Sequence, residues 1–241
     1  MQSNFYVGIS GQMTVERRLT TIAQNIANMN TAGYKAEGVT FDTLLSQTGD
    51  TPVAFSTPGA SYIDRQGGER TKTDNPLDVA VQGDAWLGVK TAQGVVYTHD
   101  GRMKMSQTGQ LLNVNDDPVL DVGGSGLILD PAAGPPTIAA DGMITQNGAQ
   151  VGAIGLFAID PAAKLTRGPG SGVIPDRAAT PVLDFTSTGV VQGFVENSNV
   201  NPVLEITKLI NVQHSLDSVT QANQTADTTL QDAIKALGSP S

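Results

Sequence analysis

Asn201-Pro202-Val203-Leu204-Glu205-Ile206-Thr207-Lys208-Leu209-Ile210-Asn211-Val212-Gln213-His214-Ser215-Leu216 opens the last stretch of the chain. Pro202 stands where a helix can begin, because the first-turn N–H that proline lacks has no partner in a helix anyway. From there apolar, small and amide residues recur at steps of three and four: Pro202, Ile206, Leu209, Gln213, Leu216, Val219, Asn223, Ala226, Leu230, Ala233 and Leu237. So narrow a stripe reads as a coiled-coil seam rather than the broad face of an ordinary core helix. Gln213 and Asn223 interrupt it with amides, which lower stability in such a seam and fix its register. A helix from Pro202 to Leu237 is about 55 Å long, more than a small β domain can cover.

The other end of the chain repeats the pattern. Val15, Leu19, Ile22, Ile26 and Met29 follow the same spacing with Ala23 and Ala27 beside them, and Gly33 is placed to stop the helix. This predicts a helix from about Phe5 to Asn30. Asn25, Asn28 and Asn30 crowd its last turns, where amides can satisfy the final carbonyls or bind a neighbouring helix. The two ends are natural partners; the alternative is that each packs on the β body of its own chain. The expected assembly surface is therefore Val15, Leu19, Ile22, Asn25, Ile26, Asn28, Met29 and Asn30 at one end, with Ile206, Leu209, Gln213, Leu216, Val219, Asn223 and Leu230 at the other.

Between the ends the pattern changes. Residues 36–75 are rich in Gly, Thr, Asp and Pro and read as extended linker. From Leu77 the chain alternates through Val79, Val81, Trp86, Val89, Val95, Tyr97, Leu112 and Val114. Turn signals separate these runs at Gln82-Gly83-Asp84, Asp100-Gly101, Asn115-Asp116-Asp117-Pro118, Asp141-Gly142 and Asn147-Gly148. Val151 to Ile159 reads as a buried strand, Asp130 to Pro136 and Arg167 to Pro181 as loops, and strand pattern returns over Val190 to Val195. The expected plan is a helix over 1–35, linker over 36–75, a hairpin-rich all-β domain over 76–200, and a helix over 201–241 that pairs with the first as a coiled coil on assembly.

Composition excludes several function classes. The 241 residues carry 14 basic and 23 acidic side chains, net −9, so nucleic acid is not an expected partner. Cysteine is absent, which removes disulfides, thiolate metal sites and a cysteine nucleophile. No stretch reaches the roughly 20 apolar residues that span a bilayer. Met1 to Gly11 has no basic start or apolar block, so no cleaved secretory signal is expected.

Catalytic patterns are equally scarce. His99 lies beside Asp100 at a predicted hairpin turn and His214 beside the terminal seam; a structural or solvent role fits both better than catalysis. Gly168-Pro169-Gly170-Ser171-Gly172 lacks the Lys-Ser/Thr of a phosphate loop, and Gly123-Gly124-Ser125-Gly126 follows no strand-to-helix pattern. Asp116 and Asp117 read as turn residues rather than a cation loop, and Asn223-Gln224-Thr225, a glycosylation triplet on a predicted helix, reads as a chance match. The chain reads as a non-enzyme with no cofactor and no metal. The rival classes are a β-rich hydrolase with an unrecognised site and a cytoplasmic coiled-coil scaffold or chaperone.

Gln24-Asn25-Ile26-Ala27-Asn28-Met29-Asn30-Thr31-Ala32-Gly33-Tyr34-Lys35 resembles the N-terminal signature of the flagellar axial proteins of rod and hook, with Gln24 where Asn is usual. Asn75-Pro76-Leu77-Asp78-Val79-Ala80-Val81-Gln82-Gly83-Asp84, then Tyr97-Thr98-His99-Asp100-Gly101, is similar to the start of that family's β domain. Ser198-Asn199-Val200-Asn201-Pro202-Val203 resembles its junction into the last helix. Trp86-Leu87 and Gln213-His214-Ser215-Leu216 depart from the family pattern. Length and the start Tyr6-Val7 to Gly11 look most like the proximal-rod member, with the distal-rod member next. The resemblance implies a structural subunit of the bacterial flagellar basal-body rod, part of a tubular drive shaft for motility. It further implies partners among copies of itself, other rod proteins and the flagellar export apparatus, with no membrane insertion, in the periplasm-spanning part of the flagellum.

Overall fold

A computed structural model describes residues 2–46 and 53–238. The chain divides into two compact units, Met1–Ala27 with Glu37–Tyr62 and Asn201–Ser241 in the first, Asn28–Ala36 with Ile63–Val200 in the second.

The first unit holds the helices α1 (Gln2–Ala27) and α2 (Pro202–Gly238) and the paired strands β1 (Glu37–Ser46) and β2 (Val53–Ile63). Asn201 caps α2, its Oδ1 accepting the Leu204 N–H at 3.1 Å just ahead of Pro202. α1 ends three residues before the predicted stop. Asn28, Met29 and Asn30 leave the helix in tight turns, with Thr31 N bonded to Asn28 O at 3.1 Å and Tyr34 N to Thr31 O at 3.2 Å. Asparagine competes poorly for helical positions, so a run holding two of them yields to the turn. The segment expected to be linker carries β1 and β2 instead; alternation of Val39, Phe41 and Leu45 with polar residues was present there but obscured by Gly and Thr.

The second unit is a β body. Its strands begin with β3 (Arg70–Lys72), β4 (Val79–Gln82), β5 (Trp86–Thr91), β6 (Gly94–Thr98), β7 (Met103–Met105) and β8 (Leu111–Asn113). They continue with β9 (Thr137–Ile138), β10 (Met143–Gln146), β11 (Ala149–Ala153), β12 (Leu156–Ala158) and β13 (Leu165–Arg167). The last are β14 (Val173–Pro175), β15 (Thr180–Pro181), β16 (Gly189–Gln192) and β17 (Phe194–Glu196). Six strands form one sheet in the order β13-β14-β6-β5-β12-β15, and β11-β10-β9 form another, with β16-β4, β17-β3 and β7-β8 as pairs. The predicted turn Asn147-Gly148 joins β10 to β11 with Gln146 opposite Ala149 and both turn residues at positive φ, 50° and 78°, as a two-residue hairpin demands. The expected single strand Val151–Ile159 divides between β11 and β12, in different sheets, at Ile154-Gly155.

Two apolar clusters hold this body together. One gathers Val79, Leu87, Leu111, Val119, Ile144 and Leu156 among others; the second joins Ile63, Trp86, Ile159, Leu165 and Val173. Trp86, Leu111 and Ile144 are wholly buried. Burial of such a side chain contributes about 1.5–3 kcal/mol, and the abundance of fully covered residues makes the β body self-sufficient in apolar contacts.

Candidate functional site

In the first unit α1 and α2 pack along one another. Asn25, near the end of α1, donates from Nδ2 to Glu205 Oε2 at 3.3 Å near the start of α2. At the other end a Cβ on Gly8 would overlap the Asn223 side chain. The pair is therefore antiparallel, and the two contacts lie about 26 Å apart along the helices. Counting back from Asn223 in alternating steps of four and three gives Val219, Leu216, Val212, Leu209 and Glu205. Val212 and Glu205 are buried, and the other three are half-buried. This is the inner seam of α2. On α1, Val15, Leu19, Ile22 and Ile26 belong to its counterpart, with Ile22 buried and the others half-buried.

Of the predicted stripe, Leu209, Leu216, Val219 and Asn223 lie along this inner seam, and Ile206 and Gln213 do not. The predicted steps from Gln213 to Leu216 to Val219 are three and three, and two consecutive threes rotate a stripe around the helix. Gln213 is exposed and Ile206 is 48% exposed, while Val212, passed over in the sequence reading, is 3% exposed. Leu230 lies on α2, but its side chain falls outside the described residues.

Ile206 belongs instead to a second stripe. Val203, Ile206 and Ile210 are 75%, 48% and 48% exposed and share one side of α2. On α1 Ile9, Met13, Thr20, Ala23 and Ala27 repeat at heptad spacing one residue beyond the inner seam, and all are exposed. Leu19, Thr20, Ala23, Gln24 and Ala27 line a shallow groove there of about 420 Å³. In an antiparallel pair these rotations turn both stripes to the same side. The opposite side is taken by the hairpin. Asn25 there bonds the Glu37 main chain twice, Nδ2 to O and Oδ1 from N, each at 2.9 Å. Only a side chain with donor and acceptor together can close such a pair, which explains an amide at a position 2% exposed. Lys208 Nζ, 2.6 Å from Glu205 Oε1, completes the polar cluster.

In the second unit the signature Asn28–Ala36 is stitched into the β body. Gly33 N donates to Glu196 O at 2.8 Å and Ala36 N to Asn199 Oδ1 at 2.6 Å. Gly33 has φ +65° and presses on the Asp100 main chain, so a side chain there has neither the conformation nor the space. Arg167 lies over the Tyr34 ring, 4.3 Å from its centroid, and bonds Lys35 O at 2.7 Å. Asn28 turns to Thr31, whose hydroxyl lies 3.2 Å from its Oδ1; Met29 is half-buried and Asn30 exposed. These three predicted assembly residues therefore stand in the junction, not on α1.

Lys35 and Glu196 form a buried ion pair at 2.7 Å, with side chains 0% and 3% exposed. His99 Nδ1 lies 2.8 Å from Glu196 Oε2, and Gly68 N bonds Oε1 at 2.9 Å. His99 is thus no solvent-facing turn residue: it is 3% exposed and packs edge-on against Trp86, with centroids 4.3 Å apart. Burial pushes its imidazole below the ordinary value, and the ring is neutral at pH 7. Burial alone would raise the Glu196 carboxyl, but His99 and Lys35 outweigh it and hold it at about 2. Asp116, by contrast, is the exposed turn residue expected, at φ 68°. No sequence signal joined Lys35 to a glutamate 161 residues away.

Among the described residues no cluster of metal-ligating side chains occurs, and no helix is long and apolar enough to cross a membrane. Residues 5–35 match the family model for the flagella basal body rod protein, and residues 191–236 that for the flagellar basal body rod FlgEFG protein C-terminal region. The flagellar basal-body rod protein FlgF of Mesorhizobium japonicum is 46% identical over 241 residues, covering 100% of both chains. That of Rhizobium meliloti is 39% identical, covering 99% of both. The flagellar basal-body rod protein FlgG of Bacillus subtilis is 28% identical over 97% of this chain and 98% of its own.

Proposed function

This chain belongs to the flagellar basal-body rod protein family, and on that premise we propose that it is a non-enzymatic structural subunit of the proximal rod. The observation that carries the mechanism is the bare apolar side of the helix pair. The inner seam is satisfied within the chain, while Val203, Ile206 and Ile210 and the small residues of the α1 groove stay exposed. An exposed apolar face of this kind is a surface awaiting a neighbour. Covering each large side chain contributes about 1.5–3 kcal/mol, and repetition over many subunits makes a rigid shaft from modest contacts. The neighbours are copies of this chain and other rod proteins. Higher identity to the FlgF-named relatives than to the FlgG-named one favours the proximal over the distal rod. Delivery runs through the flagellar export apparatus into the periplasm-spanning rod.

Ile206→Asp tests this reading. The charge sits on the bare side, so the purified protein keeps its helical signal and its melting curve, yet cells carrying it build no complete rod and do not swim. Motile cells with normal basal bodies would overturn the assignment. Basal bodies isolated from a strain lacking the protein should stop short of a complete proximal rod; a fully built proximal rod would move the subunit outward to the distal rod.

A further inference from the structure

Glu196 gathers three donors from distant parts of the second unit: Lys35 Nζ, His99 Nδ1 and Gly68 N. The segment Asn28–Ala36 is held to the β body largely by this carboxylate and its surroundings, through Gly33 N on Glu196 O, Ala36 N on Asn199 Oδ1 and Arg167 on Lys35 O. Ala32 and Tyr34 are its buried apolar side chains, and neither belongs to an apolar core cluster. We propose that Lys35, Glu196 and His99 form an acid-opened latch that releases the junction segment 28–36 while the core of the β body stays folded.

The charge balance inside the latch sets its direction. At neutral pH one cation, Lys35, faces one anion, Glu196, and an uncharged His99 supplies an N–H to the carboxylate. Protonating His99 places two buried cations on one anion, with Asp84 as the further acidic influence on the ring. Asp100, next along the chain, is engaged by Arg102 at 2.7 Å, and Arg167 faces the Lys35 main chain from the far side. Loss of the Glu196 charge leaves Lys35 buried without a counter-ion.

Both titrations act in the same sense. The folded His99 lies below its ordinary 6.5, chiefly through burial, so the open state binds a proton that the closed state refuses. Latch stability is complete above pH 6.5 and declines as pH falls below it. Glu196, at about 2 when closed and 4.5 when open, adds a second decline below pH 4.5. Because only Ala32 and Tyr34 of the segment are buried apolar side chains and neither joins a core cluster, its hold rests chiefly on the polar contacts, and local opening precedes global unfolding. Release frees the stretch that leads directly from α1, independently of the rod assignment.

Hydrogen exchange on the full-length protein, corrected for intrinsic rates from pH 7.5 to 4, tests this. Protection of the peptide covering 28–36 should fall by about tenfold or more between pH 7.5 and 5, while peptides over β4 and β5 keep theirs. The single tryptophan, Trp86, should change its fluorescence over the same range because its ring abuts His99. His99→Gln keeps a neutral donor and should shift the loss below pH 4.5. Lys35→Met should expose the segment already at pH 7.5. Simultaneous loss of protection everywhere, full protection of 28–36 at pH 5 in the unmodified protein, or an unshifted transition in His99→Gln would overturn the latch.

Discussion

The β body and the helix pair solve the same problem in opposite ways. In the β body Trp86, Leu111 and Ile144 are wholly covered by their own chain, and its charged groups Lys35 and Glu196 are buried only as a pair. In the helix pair Val203 is 75% exposed and Met13 57%, on the side that faces away from the hairpin. Unsatisfied apolar surface is a liability for a free protein and an asset for a part. On the function proposed above, the difference teaches that one unit is finished by folding and the other is left to be finished by assembly.

The contrast breaks most visibly at Glu196. Glu196→Ala strands Lys35 without its counter-ion, at a cost of about 3–5 kcal/mol to the β body. Denaturant unfolding followed by Trp86 fluorescence should show the loss, and the helical circular-dichroism signal should not share it. If both signals shift together, the two units are one cooperative block. Leu111→Ala opens a cavity in the larger core cluster and costs about 2–5 kcal/mol in the same fluorescence measurement.

The helix pair answers to a different pair of changes. Val212→Asp buries a charge in the inner seam and should weaken the helical signal while the Trp86 transition stays in place. Ile206→Asp, two turns upstream on the bare side, should move neither transition and still abolish swimming. Equal effects of the two on helicity would mean that the inner and outer stripes are not distinct. The smallest effect belongs to Asp116, exposed at φ 68° in its turn. Asp116→Gly removes that strain and should change stability by no more than about 0.5 kcal/mol, toward the stable side, with motility intact.

Local chemistry was enough for much of the architecture. Heptad spacing marked both helices, Asn201-Pro202 marked the start of α2, and Asn147-Gly148 marked a hairpin, because period, capping and turn preference act over a few residues. The family blocks at Gln24 to Lys35, Asn75 to Asp84 and Ser198 to Val203 were likewise legible. Tertiary structure alone decided which of two adjacent stripes on α2 faces α1: Val212 and Gln213 are neighbours in sequence, and only the position of a partner helix tells a buried seam from a bare one. It alone drew 28–36 into the β body and carried His99 from an apparent surface turn to the interior. Those outcomes depend on Glu196 meeting Lys35 across 161 residues and His99 across 97. Contacts made at such separation leave no period in the chain, because what selects them is the burial of charge in three dimensions rather than the preference of any residue for its neighbours.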